Sequence, residues 1–189
     1  MEILKQHILK YGRALDADVL LVDSFLNNQV DPSLMFEIGK AFAERFANEQ
    51  ITKIVTVESS GIAPAVMAAL QMKVPLVILK KAQSRILKED LLQTEVFSFT
   101  KNAFYQLTLK KAFIQPDDRV LIIDDFLANG GAAFGCIKLL EEAGAKVAGV
   151  GAVVAKVFQP GRERLVEAGY RVECLAPVKA MSEGCIEFE

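Results

Sequence analysis

Apolar residues in this chain fall into two alternating rhythms. Residues 51–57, 74–79, 120–123 and 147–155 are short, largely apolar runs of strand length, as expected of parallel strands covered on both faces, and 171–175 reads as a further strand. Between them the spacing changes to that of helices. Leu34, Ile38, Phe42 and Phe46 recur at every fourth residue, predicting an apolar helical stripe that reaches about Asn48. Asp31-Pro32 suits its start, with Asp as N-cap and Pro at the first helical position. An alanine-rich helix is expected over 62–72 and a short one over 162–168. Another begins near Ala132, carries Ala133, Ile137 and Leu140 on one face, and ends near Gly144. At the N-terminus, Ile3, Leu4, Ile8 and Leu9 predict an amphipathic helix, followed by a short apolar run at 19–22. The alternation predicts an α/β fold: a doubly wound, mostly parallel sheet. No repeat, linker or low-complexity tract interrupts it, so residues 1–189 read as a single domain.

One segment breaks the rhythm. Residues 80–113 are polar, carry Lys80, Lys81, Arg85, Lys88 and Lys101, include a β-prone run at 94–100, and give no long helix signal. An excursion of this length between two core strands is expected to be a lid or binding loop.

Composition narrows the chemistry. With 52% hydrophobic residues, 189 residues suffice for one sizeable core. The net charge of -2 offers no basic footprint for nucleic acid. No apolar run is long enough to span a bilayer, and the first residues lack the apolar core of a signal peptide. Cys136, Cys174 and Cys185 are far apart and without metal-ligand spacing. The expectation is a soluble cytoplasmic protein with reduced thiols. His7 is the single histidine, on the N-terminal helix, where packing is its simplest role. A Ser-His-Asp triad, a histidine-ligated zinc or a histidine base would all have to rest on it, and are set aside.

The most informative stretch is Asp124-Asp125-Phe126-Leu127-Ala128-Asn129-Gly130-Gly131-Ala132. The apolar run at 120–123 delivers two carboxylates to a strand C-terminus, where open α/β sheets bind their ligands. Gly130 and Gly131 let the backbone approach an anion, and the helix after them offers free N–H groups and a partial positive charge. Carboxylates for hydroxyls or a metal, beside a phosphate cradle, suggest a phosphorylated sugar. Three other readings stand beside this one. A metal site as in response-regulator receivers is disfavoured, because receivers carry their acid pair near the first strand and here at least three precede it. An aspartyl-phosphate phosphatase and a plain loop with solvated acids complete the set. No G-x-x-x-x-G-K-[ST] occurs, and Gly149-Val150-Gly151 lies within a strand, so neither nucleotide fingerprint applies. A second strand-to-helix turn, Glu58-Ser59-Ser60-Gly61, is a weak signal alone. Paired with the first on one sheet edge, it suits a ligand with phosphates at both ends.

These residues resemble the phosphoribosyl pyrophosphate signature of the type I phosphoribosyltransferases: apolar positions, two acids, two more apolar positions, a small residue, then a Thr-Gly-Gly-Thr-like loop. Asn129 and Ala132 replace the usual threonines, and the backbone cradle does not need them. The resemblance extends over nearly the whole chain. Residues 19–32 and 153–161 are similar to the branch of the family that uses xanthine.

The resemblance implies a reaction in which purine N9 joins ribose C1 as pyrophosphate leaves, through an oxocarbenium-like transition state. By the same resemblance, Asp124 and Asp125 serve catalysis by binding the ribose hydroxyls beneath the developing charge. It also implies that Ala128, Asn129, Gly130, Gly131 and Ala132 hold the 5′-phosphate, and Ser59, Ser60, Gly61 and Lys81 the pyrophosphate. Adenine-specific relatives often carry Arg at the position of Ser60. Mg²⁺ is implied to arrive on substrate oxygens, with no direct protein ligand expected. Residues 1–35 and 80–113 would form a hood, and the assembly would be a homodimer. Hypoxanthine-guanine relatives place an aspartate where this chain has Ala128, which has no side-chain acceptor for purine N7. The expected substrate is therefore the more acidic xanthine. In that comparison Lys156 donates to its O6, Asn27 to its O2, and Leu20 gives apolar contact. The alternative from another class is a non-catalytic regulator that senses phosphoribosyl pyrophosphate, though such regulators normally add a DNA-binding domain.

Overall fold

A computed structural model describes residues 1–81, 90–98 and 102–189. Expectations for Arg85, Lys88, Lys101 and residues 99–100 fall outside the described residues. The central sheet is built from β3 (Lys53–Val57), β4 (Leu76–Leu79), β7 (Arg119–Leu127), β8 (Lys146–Lys156), β9 (Val172–Ser182) and β10 (Cys185–Phe188), numbered in chain order after the two-residue strands β1 (Arg13–Ala14) and β2 (Leu20–Leu21). Its order is β10-β9-β8-β7-β3-β4, with all neighbours parallel except the antiparallel β9–β10 pair.

Period-two alternation along the strands divides the apolar side chains between two faces. Ile54, Leu121, Ile123 and Val153 join a core with α1 (Glu2–Tyr11), α2 (Pro32–Arg45) and α3 (Ile62–Met72). Val55, Ile122, Val150 and Ala152 face a second core, with α4 (Gly131–Glu142) and Leu165 of α5 (Gly161–Glu167). The doubly wound reading holds. α2 begins as its sequence predicts, since the Asp31 carboxylate accepts the N–H groups of Ser33 and Leu34. Of the N-terminal apolar residues, Leu4 and Ile8 are buried, while Ile3 and Leu9 are exposed.

Several elements differ from the sequence expectation. β7 does not stop at Ile123: pairing continues through Asp124↔Ala152, Phe126↔Val154 and Leu127↔Ala155, so the acids sit within the strand. β8 likewise runs to Lys156, and β9 reaches Ser182 before turning into β10. Within 80–113, β5 (Leu91–Ser98) and β6 (Ala103–Lys110) form an antiparallel hairpin, and Val96, Leu107 and Leu109 are buried with α4. The described part of this excursion therefore belongs partly to the core.

The parallel strands run β4-β3-β7-β8-β9. Between β3 and β7 the connections part: α3 leaves toward one face and α4 toward the other. Such a switch point opens a crevice at the strand C-termini.

Candidate active site

Two strand-to-helix turns border that crevice. After β3, residues 58–61 lead into α3, where the Ser59 carbonyl accepts the N–H of Ile62 and Gly61 caps the helix with no side-chain hydrogen bond. Ser59 is exposed, Ser60 half-buried and Gly61 buried. After β7, residues 128–131 lead into α4. Gly130 adopts φ of 81°, a left-handed conformation that disfavours side chains, and no side chain caps this helix either. Both N-termini therefore keep backbone donors and positive dipole ends for an anion.

The turn after β3 meets β7 at Asp124, which lines one cavity with the turn after β7. A β-carbon on Gly61 would lie 3.0 Å from Asp124 Oδ1 and would collide with Thr56 Oγ1. Asp124 accepts the N–H of Asp125 at 3.0 Å and lines a cavity of about 210 Å³ with Lys81, Tyr105, Phe126 and residues 127–133. Burial pushes its carboxyl well above the ordinary carboxylate range and the neighbouring Asp125 pushes it further, while Lys81 opposes the shift. Burial also raises the Tyr105 phenol to about 12, so it stays protonated at neutral pH. The cavity thus pairs a desolvated acid with a cation, Lys81, whose ammonium lies 5.5 Å from the Tyr105 ring centre.

The 128–132 turn is braced from α5. Gly161 donates its N–H to Ala128 O at 3.0 Å, and Arg164 donates to Asn129 O at 3.1 Å. A β-carbon on Gly161 would lie 2.6 Å from Gly130 N and against Ala128 O.

A second cluster lies at the end of β8. The Lys156 ammonium donates to the main-chain carbonyl of Asp18 and stands 5.7 Å from the centre of the Phe126 ring, which lines the cavity. Burial lowers its pKa from the ordinary lysine value, and Asp18 and Asp16 partly offset this. Gln159 reaches the Asp18 carboxylate at 3.3 Å, and Asp16 shapes the loop by accepting the N–H groups of Asp18 and Val19 at 2.7 Å. Leu20 lies just beyond and is buried in the core at 7% exposure. Asn27 ends a single π-helical turn, Asp23–Asn27, with its Oδ1 buried and without a protein partner.

The structure thus gathers Asp124, Lys81, Ala128, Asn129, Gly130, Gly131 and Ala132 around one cavity, with Gly61 against Asp124. Lys156 adjoins it across Phe126, whereas Leu20 and Asn27 are not among its lining residues. Sequence reasoning gave no role to the Glu58 side chain and missed Tyr105, Asp18, Phe126 as a platform, and Gly161 as a brace. Only Gly161 left a trace, as a glycine opening a predicted helix; the others depend on contacts between distant segments. Among the described residues, no three His, Cys, Asp or Glu side chains gather as a metal site.

Known proteins fit this geometry. Residues 16–187 match the family described as Phosphoribosyl transferase domain. The protein named xanthine phosphoribosyltransferase 1 of Clostridium botulinum is 57% identical over 188 residues, 100% of this chain and 99% of its own. The xanthine phosphoribosyltransferases of Clostridium acetobutylicum and Bacillus cytotoxicus are 56% and 53% identical across 100% of this chain and 100% and 95% of theirs. Among solved structures, adenine phosphoribosyltransferase of Thermoanaerobacter pseudethanolicus shares the fold, with a TM-score of 0.78 at 22% identity over 92% of this chain and 99% of that one. That of Rhodothermus marinus superposes with a TM-score of 0.76 at 25% identity, over 94% and 100%. With a signature strand, a double-cradle crevice and matches along its length, the chain belongs to the phosphoribosyltransferase family.

Proposed function

We propose that this protein is a purine salvage enzyme that converts xanthine and phosphoribosyl pyrophosphate to xanthosine monophosphate and pyrophosphate. One observation carries the reading of the sugar substrate. Two uncapped helix N-termini flank a shared carboxylate, Asp124, at the switch point between β3 and β7. A ligand phosphorylated at both ends with hydroxyls between them matches that order of groups. The 128–132 backbone takes the 5′-phosphate, residues 59–61 and Lys81 the pyrophosphate, and Asp124 with Asp125 the ribose hydroxyls. As the bond at C1 stretches, the carboxylates stabilise the positive charge on the ring.

The choice of base rests on the names of the full-length relatives and on four residues. Lys156 is oriented by Asp18 beside Phe126 and supplies a donor to a purine O6, which disfavours an amino group there. Asn27 keeps a buried, unpartnered amide oxygen; its amide offers a donor for O2 and an acceptor for the adjoining ring N–H. Ala128 gives no acceptor for N7, so a base acidic enough to lose that proton unaided is the better substrate. Leu20 supports the base pocket from the core.

Mg²⁺ takes oxygen ligands and is commonly held by one or two carboxylates together with substrate phosphates. Here the ion would be carried by the oxygens of phosphoribosyl pyrophosphate, with no direct protein ligand, and would neutralise the leaving group. Residues 1–35 and the described part of 80–113 are read as contributing to the hood, the assembly as a homodimer, and the compartment as the cytoplasm. No helix among the described residues is long and apolar enough to cross a membrane. The regulator alternative is the weaker reading, since the full-length relatives carry transferase names. Asn27→Ala tests the base assignment: KM for xanthine should rise more than KM for hypoxanthine, and equal losses would remove Asn27 from the O2 contact.

A further inference from the structure

Glu58 ends up where a carboxylate is electrostatically unwelcome. It opens the turn assigned to the pyrophosphate, and its charge there opposes an anionic ligand. Both its oxygens are engaged. Oε1 accepts the main-chain N–H of Lys81 at 2.6 Å, and Oε2 pairs with the Lys80 ammonium at 3.0 Å. Backbone bonds secure the same junction: Glu58 donates to Leu79 O at 3.1 Å, and Lys80 and Thr108 exchange N–H···O bonds of 3.0 and 2.9 Å.

The two partners have different roles. The Lys80 side chain is 57% exposed, and an ion pair that open to water contributes little to stability. Its effect is to cancel the Glu58 charge next to the cradle. The bond to the Lys81 N–H is charge-assisted, and such bonds are shorter and stronger than neutral ones. Burial resists ionisation of Glu58, but the Lys81 N–H and the Lys80 ammonium prevail and hold its carboxyl below the usual range. Beyond this anchor the Lys81 side chain enters the Asp124 cavity.

We infer that Glu58 is a positioning residue: its carboxylate fixes the main chain of Lys81 so that the Lys81 ammonium faces the pyrophosphate, and Lys80 neutralises the carboxylate that does so. This role deepens the proposed function and rests on the reading of 59–61 and Lys81 as the pyrophosphate subsite. Both segments meet in one side chain, so the turn after β3 and the cation after β4 approach the ligand as a unit.

Two variants of the full chain test it, with steady-state kinetics for each substrate and calorimetric binding of Mg²⁺-phosphoribosyl pyrophosphate. Glu58→Ala removes the acceptor, whereas Glu58→Gln keeps one for the Lys81 N–H. Losing one charge-assisted bond predicts about a tenfold rise in KM and Kd for phosphoribosyl pyrophosphate in Glu58→Ala. KM for xanthine should stay nearly constant, and Glu58→Gln should restore most of the affinity. An unchanged Kd in Glu58→Ala, an equal rise in both KM values, or a Gln variant as impaired as Ala would overturn the inference. If the native protein binds phosphoribosyl pyrophosphate but does not use xanthine, the base assignment alone fails, and the same Kd comparison still decides the role of Glu58. If it binds no phosphoribosyl pyrophosphate, both fall.

Discussion

Gly61 and Asp124 are close enough that a single β-carbon on the glycine would stand 3.0 Å from the carboxylate oxygen, within the range that forces a neighbour to give way. The contact joins the turn after β3 to the acid of β7. Thr56 closes the other side of the same space. Gly61→Ala should therefore displace the turn from Asp124, with some loss of stability at the Thr56 contact. A displacement of about 1 Å at a reacting centre can cost roughly 100-fold in turnover. Turnover together with a thermal melt checks this: normal turnover would mean that the two turns do not act on one ligand.

Asp124 links pH to stability in the ligand-free protein. Its folded pKa lies well above the unfolded value of 3.8, so the folded state binds the proton more tightly. The favourable proton linkage is present at low pH and is lost as pH rises from 3.8 through the folded pKa, leaving a cost at neutral pH. Asp124→Asn should raise the melting temperature at pH 7, by about 2–4 °C for each kcal/mol recovered, and remove most activity. At pH 3 the gain should vanish. Calorimetry at both values checks the sign.

Gly161 lies outside the signature stretch yet packs against its backbone. Gly161→Ala should distort residues 128–130 and raise KM for phosphoribosyl pyrophosphate about tenfold, equivalent to one lost hydrogen bond of about 1.4 kcal/mol. KM for the base should change little. Kinetics with each substrate varied in turn distinguish this from general loss of structure, which would move both.

Ala128 lines the cavity without a hydrogen-bonding side chain. Ala128→Asp would supply an acceptor near N7 and should broaden use toward hypoxanthine, a weaker acid than xanthine. The ratio of kcat/KM for the two bases reads this directly, and an unchanged ratio would mean that the missing acceptor does not set the choice of base.

Much of the fold was legible in the chain. The alternation of apolar runs and helical stripes gives the doubly wound sheet, because each strand and helix buries its own periodic face. The signature acids and glycines mark the crevice for the same local reason. What the pattern conceals is structure created by pairing. β7 continues past Ile123 because Asp124 to Leu127 keep their ladder with β8, while polar residues at a strand end resemble a loop. The hairpin of β5 and β6 alternates between buried Val96 and exposed Glu95, a half-buried signal weaker than the continuous core strands. Contacts such as Lys156 to Asp18 and Glu58 to Lys81 join residues 138 and 23 positions apart, beyond the reach of any local periodicity.

If one crevice joins an acidic purine to a doubly phosphorylated ribose, a single assay exposes it. Purified protein should be supplied with xanthine, phosphoribosyl pyrophosphate and Mg²⁺, and nucleotide and pyrophosphate measured together. Both products should form in equal amounts, with kcat/KM for xanthine exceeding that for adenine or hypoxanthine by about 100-fold or more. Absence of nucleotide, or a preference for adenine or hypoxanthine over xanthine, would contradict the proposed activity.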